Sequence, residues 1–254
     1  MPRASSRARD RRRFSSFCHC SKSVSRAASK SLPAQEVRAL LAARKLLQTK
    51  NHDVEMSLRG VLRGFGLKVG RTTPRTFPNR IRELVVGHAT LSTIAEALLA
   101  ARETLFEQWQ KLEKRLRSLA REDGRVRLLM TAPGVGPIVG LTHASAIDDP
   151  GRFRSSKAVG AHFGLTPKKY QSGETDVTGR ISKIGDGGVR TALYEAANVI
   201  LTRPVKGSSL KSWGMRLAAR AGMRKAKVAL PASWPSSCTV CWPTAPPSSP
   251  TKRL

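Results

Sequence analysis

From Ser31 to about Phe65 the apolar residues recur at helical spacing. Val37, Leu40, Leu41, Arg44 and Leu47 form one stripe, with an arginine stem in it, and Val54, Leu58, Val61, Leu62 and Phe65 form the next. This predicts one helix, ended by Gly64-Phe-Gly-Leu-Lys-Val-Gly70. Those glycines have the wrong spacing for a dinucleotide fingerprint, and no strand precedes them. Residues 71–79 read as a loop, and Ile81 to Glu122 reads as one long helix. Leu91, Leu98, Leu105, Leu112 and Leu119 recur every seven residues along it, and Ile94, Ala101, Trp109 and Leu116 fill the alternate seam imperfectly. A coiled-coil arm or helical hairpin is expected. An intramolecular amphipathic helix fits the same pattern, but a repeat longer than one core face needs favours pairing of protomers, hence a homo-oligomer.

Beyond Asp123-Gly124, which ends that pattern, shorter elements follow. Pro133-Gly134-Val135-Gly136-Pro137 predicts a glycine turn leading into a helix from Ile138 to Ile147. Asp148-Asp149-Pro150-Gly151 stops it; these acids read as turn residues, since no third acid lies near them in sequence. The next helix, about Ser155 to Phe163, buries Ala158, Val159, His162 and Phe163, which makes His162 a core-edge residue. Gln171 to Gly188 reads as an irregular polar loop. Helices over Val189 to Leu201 and Leu210 to Arg220 follow, with a basic run to Lys227. The fold class is therefore mainly α. It divides into a basic arm (1–29), a helical segment (30–80), a helical or coiled-coil spacer (81–123), a C-terminal domain (124–230) and a tail (231–254).

Charge changes the picture most. The chain has 254 residues, with 46 Lys+Arg against 17 Asp+Glu, a formal net charge of +29. That makes a polyanion the default partner. No apolar run approaches membrane-spanning length and no apolar signal region follows the basic start, so a soluble cytoplasmic protein is expected. The first 29 residues are Arg- and Ser-rich, as suits a disordered basic arm. The tail, rich in Pro, Ser, Cys and Trp, is compositionally foreign; back-translated in a shifted frame it gives an apolar helix. A frameshift near Leu230 and a misplaced start are the expected origins of the two ends. Cys18, Cys20, Cys238 and Cys241 fall only in these ends, which argues against a split zinc site.

Candidate chemistry concentrates between Thr131 and Arg190. Gly134, Val135 and Gly136, set before a helix start, suit a backbone grip on phosphate, although a plain turn fits the same residues. Lys157, Lys168, Lys169, Arg180, Lys183 and Arg190 supply cations. Ser172, followed by glycine, is approachable; to attack a phosphodiester its hydroxyl must lose a proton while the charge on phosphate is neutralised. Serines in loops usually only make turns, however, and the residues alone favour that role for Ser172.

Together, PGVGP, D-P-x-R-F-R-S-x-K, F-G-L-T-P, Y-Q-S-G-E and G-R-I-S-K-x-G-D resemble the C-terminal domain of the IS-one-ten, or Piv/MooV-like, insertion-sequence transposases. The resemblance covers about Lys30 to Leu230. It implies an N-terminal RuvC-like sheet domain with a D-E-D-D site for Mg²⁺, a helical spacer, and a serine transposase domain with a helix-hairpin-helix-like element. Ser172 then matches the family's nucleophilic serine. The implied partners are DNA (element ends and target), a guide RNA and further copies of the chain. The Asp-x-x-Asp pair and the upstream acids have no counterpart here, so the RuvC-like part is expected to be largely missing and this copy inactive. A non-catalytic basic nucleic-acid-binding protein is the alternative function.

Overall fold

The computed structural model describes residues 30–153, 156–172, 174–203 and 209–237, with no side-chain placement at 156, 157 and 232–237. The basic arm at 1–29, the four cysteines and the tail from 238 lie outside the described residues.

Ser31 starts the fold. Its hydroxyl accepts from the Ala34 N–H, capping α1 (Leu32–Gly64), and Pro33 sits in the first turn, where its missing N–H costs nothing. The Ser31 N–H and Oγ both donate to the Asp148 carboxylate at 2.6 Å, which ties this helix start to a distant turn. At the other end Gly66 adopts φ +78 and the Leu67 N–H returns to the Leu62 carbonyl. α2 (Phe77–Leu84) begins inside the stretch expected as loop, because Phe77 and Ile81 are buried and Pro78 suits a first turn. Gly87, at φ +86, then breaks the chain before α3 (Ala89–Glu122). The single helix expected over 81–122 is therefore two.

α1 and α3 pack antiparallel along their lengths, Leu58 and Leu62 meeting Leu91, Ala95 and Leu99 near one end. At the other end Val37, Leu40 and Leu41 meet Leu116 and Ala120. The buried row of α3 is Leu91, Ala95, Leu99, Arg102, Glu113, Leu116 and Ala120. The heptad leucines Leu98, Leu105, Leu112 and Leu119 lie half-buried beside it, since a 3.6-residue period drifts off a seven-residue repeat. Much of the face expected to meet another protomer thus covers α1 of the same chain.

Arginines are built into this packing. Arg44, the cation in the α1 stripe, pairs with Glu113 and lies over the Trp109 ring at 5.5 Å. Arg102, 6% exposed, donates to Glu55 at 2.7 Å and to the Pro74 carbonyl at 3.0 Å. With Arg59 it brackets the Phe77 ring, at 5.3 and 5.1 Å.

Asp123 ends α3 in an extended conformation and accepts from the Arg125 and Val126 amides, so it restarts the chain as α4 (Gly124–Met130). α5 (Pro137–Ile147), a short 3-10 turn at Pro150–Arg152, and α6 (Ser156–His162) follow. β1 (Pro167–Ser172) and β2 (Thr175–Ile181) form an antiparallel hairpin where an irregular loop was expected. α7 (Gly187–Thr202), α8 (Ser209–Ala221) and α9 (Met223–Ser237) close the described chain. α9 runs through Pro231 to Ser237, into the first residues of the compositionally foreign tail. Leu230 and Pro231 are fully buried, and α9 packs on α6, α7 and α8; that burial outweighs the backbone bond lost at Pro231. Among the described residues no helix is long and apolar enough to cross a membrane.

Candidate nucleic-acid interface

The β-hairpin is a bare ribbon. Almost every residue of both strands is exposed, Tyr170 and Val177 included. Tyr170 pairs with Val177, Gln171 with Asp176 and Ser172 with Thr175, and a bulge follows Pro167. Strand alternation puts Lys168, Tyr170 and Ser172 on one face with Thr175 and Val177, and Lys169 on the other. Lys169 lies 3.8 Å from Asp176. Ser172 ends β1, exposed, with no hydrogen bond to its Oγ among the described residues.

Two-stranded ribbons are marginal alone, so the base must hold this one. Gly164, at φ +66, lies so close to Ile184 that a Cβ would sit 2.1 Å from the Ile184 carbonyl oxygen. Gly185, at φ +105, would place one 2.3 Å from the His162 carbonyl oxygen. Ser182 and Lys183 donate their N–H groups to the Thr166 and Gly164 carbonyls at 2.9 and 3.0 Å. Arg190 Nη1 donates to the carbonyls of Phe163 at 3.1 Å and Gly185 at 3.0 Å. Arg190 is therefore a clamp on the hairpin base. Lys183 is exposed but also belongs to the base, with φ +56. The base lies five residues from Ser172, about 17 Å along an extended strand. Lys183 and Arg190 are thus not brought to the serine; Lys168 and Arg180, both exposed on the hairpin, are nearer.

The glycine turn between α4 and α5 divides its roles. Gly134, at φ +82, presses on α7, where a Cβ would meet the Ala196 carbonyl oxygen at 2.7 Å and Ile200 Cγ1 at 3.0 Å. Val135 packs into two core clusters, one around Ile200 and one around Leu129. Both residues therefore dock the turn onto the core. Gly136, at φ −93, caps α5 with nothing within 4 Å of its Cβ position, so it alone of the three faces open space. The Lys157 side chain lies outside the described residues.

Residues 126–211, which hold the turn and the hairpin, match the family model described as Transposase IS116/IS110/IS902 family. That stretch is similar to the family's transposase domain. It is 29% identical over 210 residues to the transposase for insertion sequence element IS1111A of Coxiella burnetii, covering 79% of this chain and 57% of that one. It is 33% identical over 99 residues to the transposase for insertion sequence element IS1328 of Yersinia enterocolitica, covering 39% and 30%. The chain spans about half or less of the curated relatives it matches.

The transposase domain is anchored to α1 by a residue the sequence pattern did not single out. Asp186 caps α7, accepting from the Gly188 and Val189 amides, and binds Arg38 of α1 at 2.5 Å. Burial pushes its carboxyl up. The Arg38 hydrogen bond, the two amides and the Arg38 charge outweigh that and hold it below the usual carboxylate range. Beside this pair a groove of about 480 Å³ runs between α1, α5 and α7, with Arg44, Lys45 and Glu195 on its walls. His162, expected at the core edge, is exposed and meets Phe153 edge-on at 5.2 Å. His143, half-buried and 6.0 Å from the Phe163 ring, has its pKa lowered by burial to about 4. Asp148 and Asp149 end α5 and cap the 3-10 turn, as their sequence context implies. Among the described residues no three His, Cys, Asp or Glu side chains converge to hold a metal.

Proposed function

We propose that this chain is the DNA-acting part of an insertion-sequence transposase, with the β-hairpin lying on DNA and Ser172 as the attacking group. The observation that carries the reading is the uncovered cationic ribbon, moored rigidly at its base, with an approachable serine at its turn. A two-stranded ribbon fits the major groove of duplex DNA, and the net charge suits a phosphate backbone. In the reaction the serine Oγ forms a bond to phosphorus and one P–O bond of the strand breaks. The departing strand oxygen takes up a proton as the serine loses its own. Lys168 and Arg180, further down the hairpin, neutralise neighbouring phosphates, and the open start of α5 at Gly136 offers amides to another.

The family resemblance implies Mg²⁺ held by four acids. The described residues do not fit that ion, so no step is routed through it. In the same reading 81–123 is the spacer that pairs protomers, 124–230 is the serine domain, and a guide RNA joins DNA as partner of the whole transposase. Among the described residues no side chain hydrogen-bonds the Ser172 hydroxyl, and on this reading the chain by itself turns over no DNA. The same observation favours the second reading, a basic protein that binds nucleic acid without cutting it.

A denaturing gel with end-labelled element-end DNA separates the two. A version joined to the four-acid half, given Mg²⁺ and guide RNA, forms a covalent adduct that Ser172→Ala abolishes. An adduct surviving Ser172→Ala places the nucleophile elsewhere.

A further inference from the structure

Opposite the transposase domain, the helical hairpin of α1 and α3 ends in a tip whose charge its packing does not explain. Between Glu55 and Glu83 the chain has no acidic residue, yet it carries Arg59, Arg63, Lys68, Arg71, Arg75, Arg80 and Arg82. Three of these are engaged: Arg59 in the core contact described above, Arg80 with Glu83, and Arg82 with Glu96. Arg63, Lys68, Arg71 and Arg75 are exposed and make no ion pair among the described residues. Like charges held together repel, so a fold that concentrates four of them needs an anion to gain from it.

The loop that carries them is rigidly supported. Leu67 and Val69 turn inward onto the core around Phe77 and Ile81. Arg59 donates to the Gly70 carbonyl at 2.8 Å and to Thr72 Oγ1 at 2.9 Å. Thr73 and Thr76 close a small turn through their hydroxyls and amides. Inward apolar residues and a half-buried arginine therefore fix the loop, and the exposed cations lie away from that support. A flexible tail could follow any polyanion; a fixed array suits a fixed one.

We infer that this tip, residues 63–75, is a second grip on duplex DNA, separate from the β-hairpin. Arg38, bonded to Asp186 beside the hairpin base, lies 25 residues before Arg63 on one continuous helix. At 1.5 Å per residue the two ends stand about 40 Å apart. That spans about 12 base pairs of straight duplex, a length over which DNA is itself stiff. A rigid helix with the tip cations at one end and the hairpin base beside the other thus matches a rigid rod of phosphates. A folded RNA offers such a straight run only where one long stem supplies it, whereas duplex DNA offers it throughout.

The inference rests on the reading that the chain binds DNA, and the experiment separates the two. Affinity of the full chain is measured against salt for duplexes of 8 and 24 base pairs and for a stem-loop RNA of similar charge. The comparison is with a variant carrying R63A, K68A, R71A and R75A. The unmodified chain prefers the long duplex strongly over the short one, and the variant loses most of that preference. On the long duplex its slope of log K against log salt falls by about 3 to 4, at nearly one unit per phosphate released.

An unchanged slope and an unchanged length preference overturn the inference while leaving the DNA reading intact. A loss confined to the RNA overturns it in favour of RNA. A chain that binds no duplex at all overturns both. The four side chains are exposed, so the melting midpoint should hold; if it falls, Arg71→Glu alone carries the same prediction, with a slope change of about 1 or more.

Discussion

Replacing Gly134 with alanine tests whether the PGVGP turn grips phosphate or docks the core. Gly134 adopts φ +82, a region that costs an ordinary residue about 1–2 kcal/mol. Its new Cβ would also meet the Ala196 carbonyl oxygen at 2.7 Å, and that atom is helix backbone that cannot swing aside. Relieving the contact means moving the turn off α7, where Val135 packs with Ala196, Ala197 and Ile200. Adding the loosened packing gives a loss of about 3 kcal/mol, in the range of known overpacking and backbone effects. For a chain of this size that is a drop of roughly 6–12 °C in Tm. Gly136→Ala is the matched control. At φ −93, with nothing within 4 Å, it forfeits only a preference for glycine at a helix cap, about 0.5–1 kcal/mol. Thermal unfolding followed by circular dichroism, at one protein concentration, compares the three proteins. Equal midpoints for Gly134→Ala and the parent would refute the docking argument, because the close contact with α7 would then have no energetic consequence.

Two further predictions concern acid. His143 has its pKa lowered to about 4 in the fold, so the unfolded chain binds its proton first as pH falls. Stability should therefore decline between about pH 6.5 and 4, by up to about 3 kcal/mol, and His143→Gln should flatten that limb in a urea titration. Asp186 is held below the ordinary carboxylate range, so its contribution is present above about pH 4 and is lost as pH falls through its folded pKa. Asp186→Asn keeps the helix cap and should remove that lower limb; an unchanged limb would show that Arg38 and Asp186 do not couple α1 to the transposase domain.

The helices were legible wherever one face alone is buried. Val37, Leu40 and Leu41, and later Leu193, Ala196, Ala197 and Ile200, are apolar at helical spacing and pack as that spacing implies. What the pattern could not show is where a single residue overrides it. Gly87 cuts one long apolar period into two helices, and Asp123 both stops α3 and caps α4. The heptad leucines mark α3 correctly as amphipathic, yet its buried row passes through Arg102 and Glu113, whose burial depends on partners far away in sequence.

The hairpin was missed for a different reason. Its strands bury nothing, so they lack the alternation that marks a half-covered strand; Thr175, Val177 and Ile181 around a Ser-Gly turn were the available signal. Gly164 and Gly185 hold it through close backbone approach, which sequence spacing does not reveal. Arg190 looked like any other exposed cation until its two carbonyl partners were placed.

The central claim, that the Ser172 hairpin is the surface laid on DNA, is tested most directly by site-specific photocrosslinking. A benzoylphenylalanine at position 172, in the full chain with an end-labelled element-end duplex, should crosslink strongly. The same probe at the exposed Glu107 of α3 should not. Adding Lys168→Ala, Lys169→Ala and Arg180→Ala should weaken the crosslink at 172 several-fold. Equal yields from positions 172 and 107, or a yield at 172 indifferent to those three cations, would contradict the account.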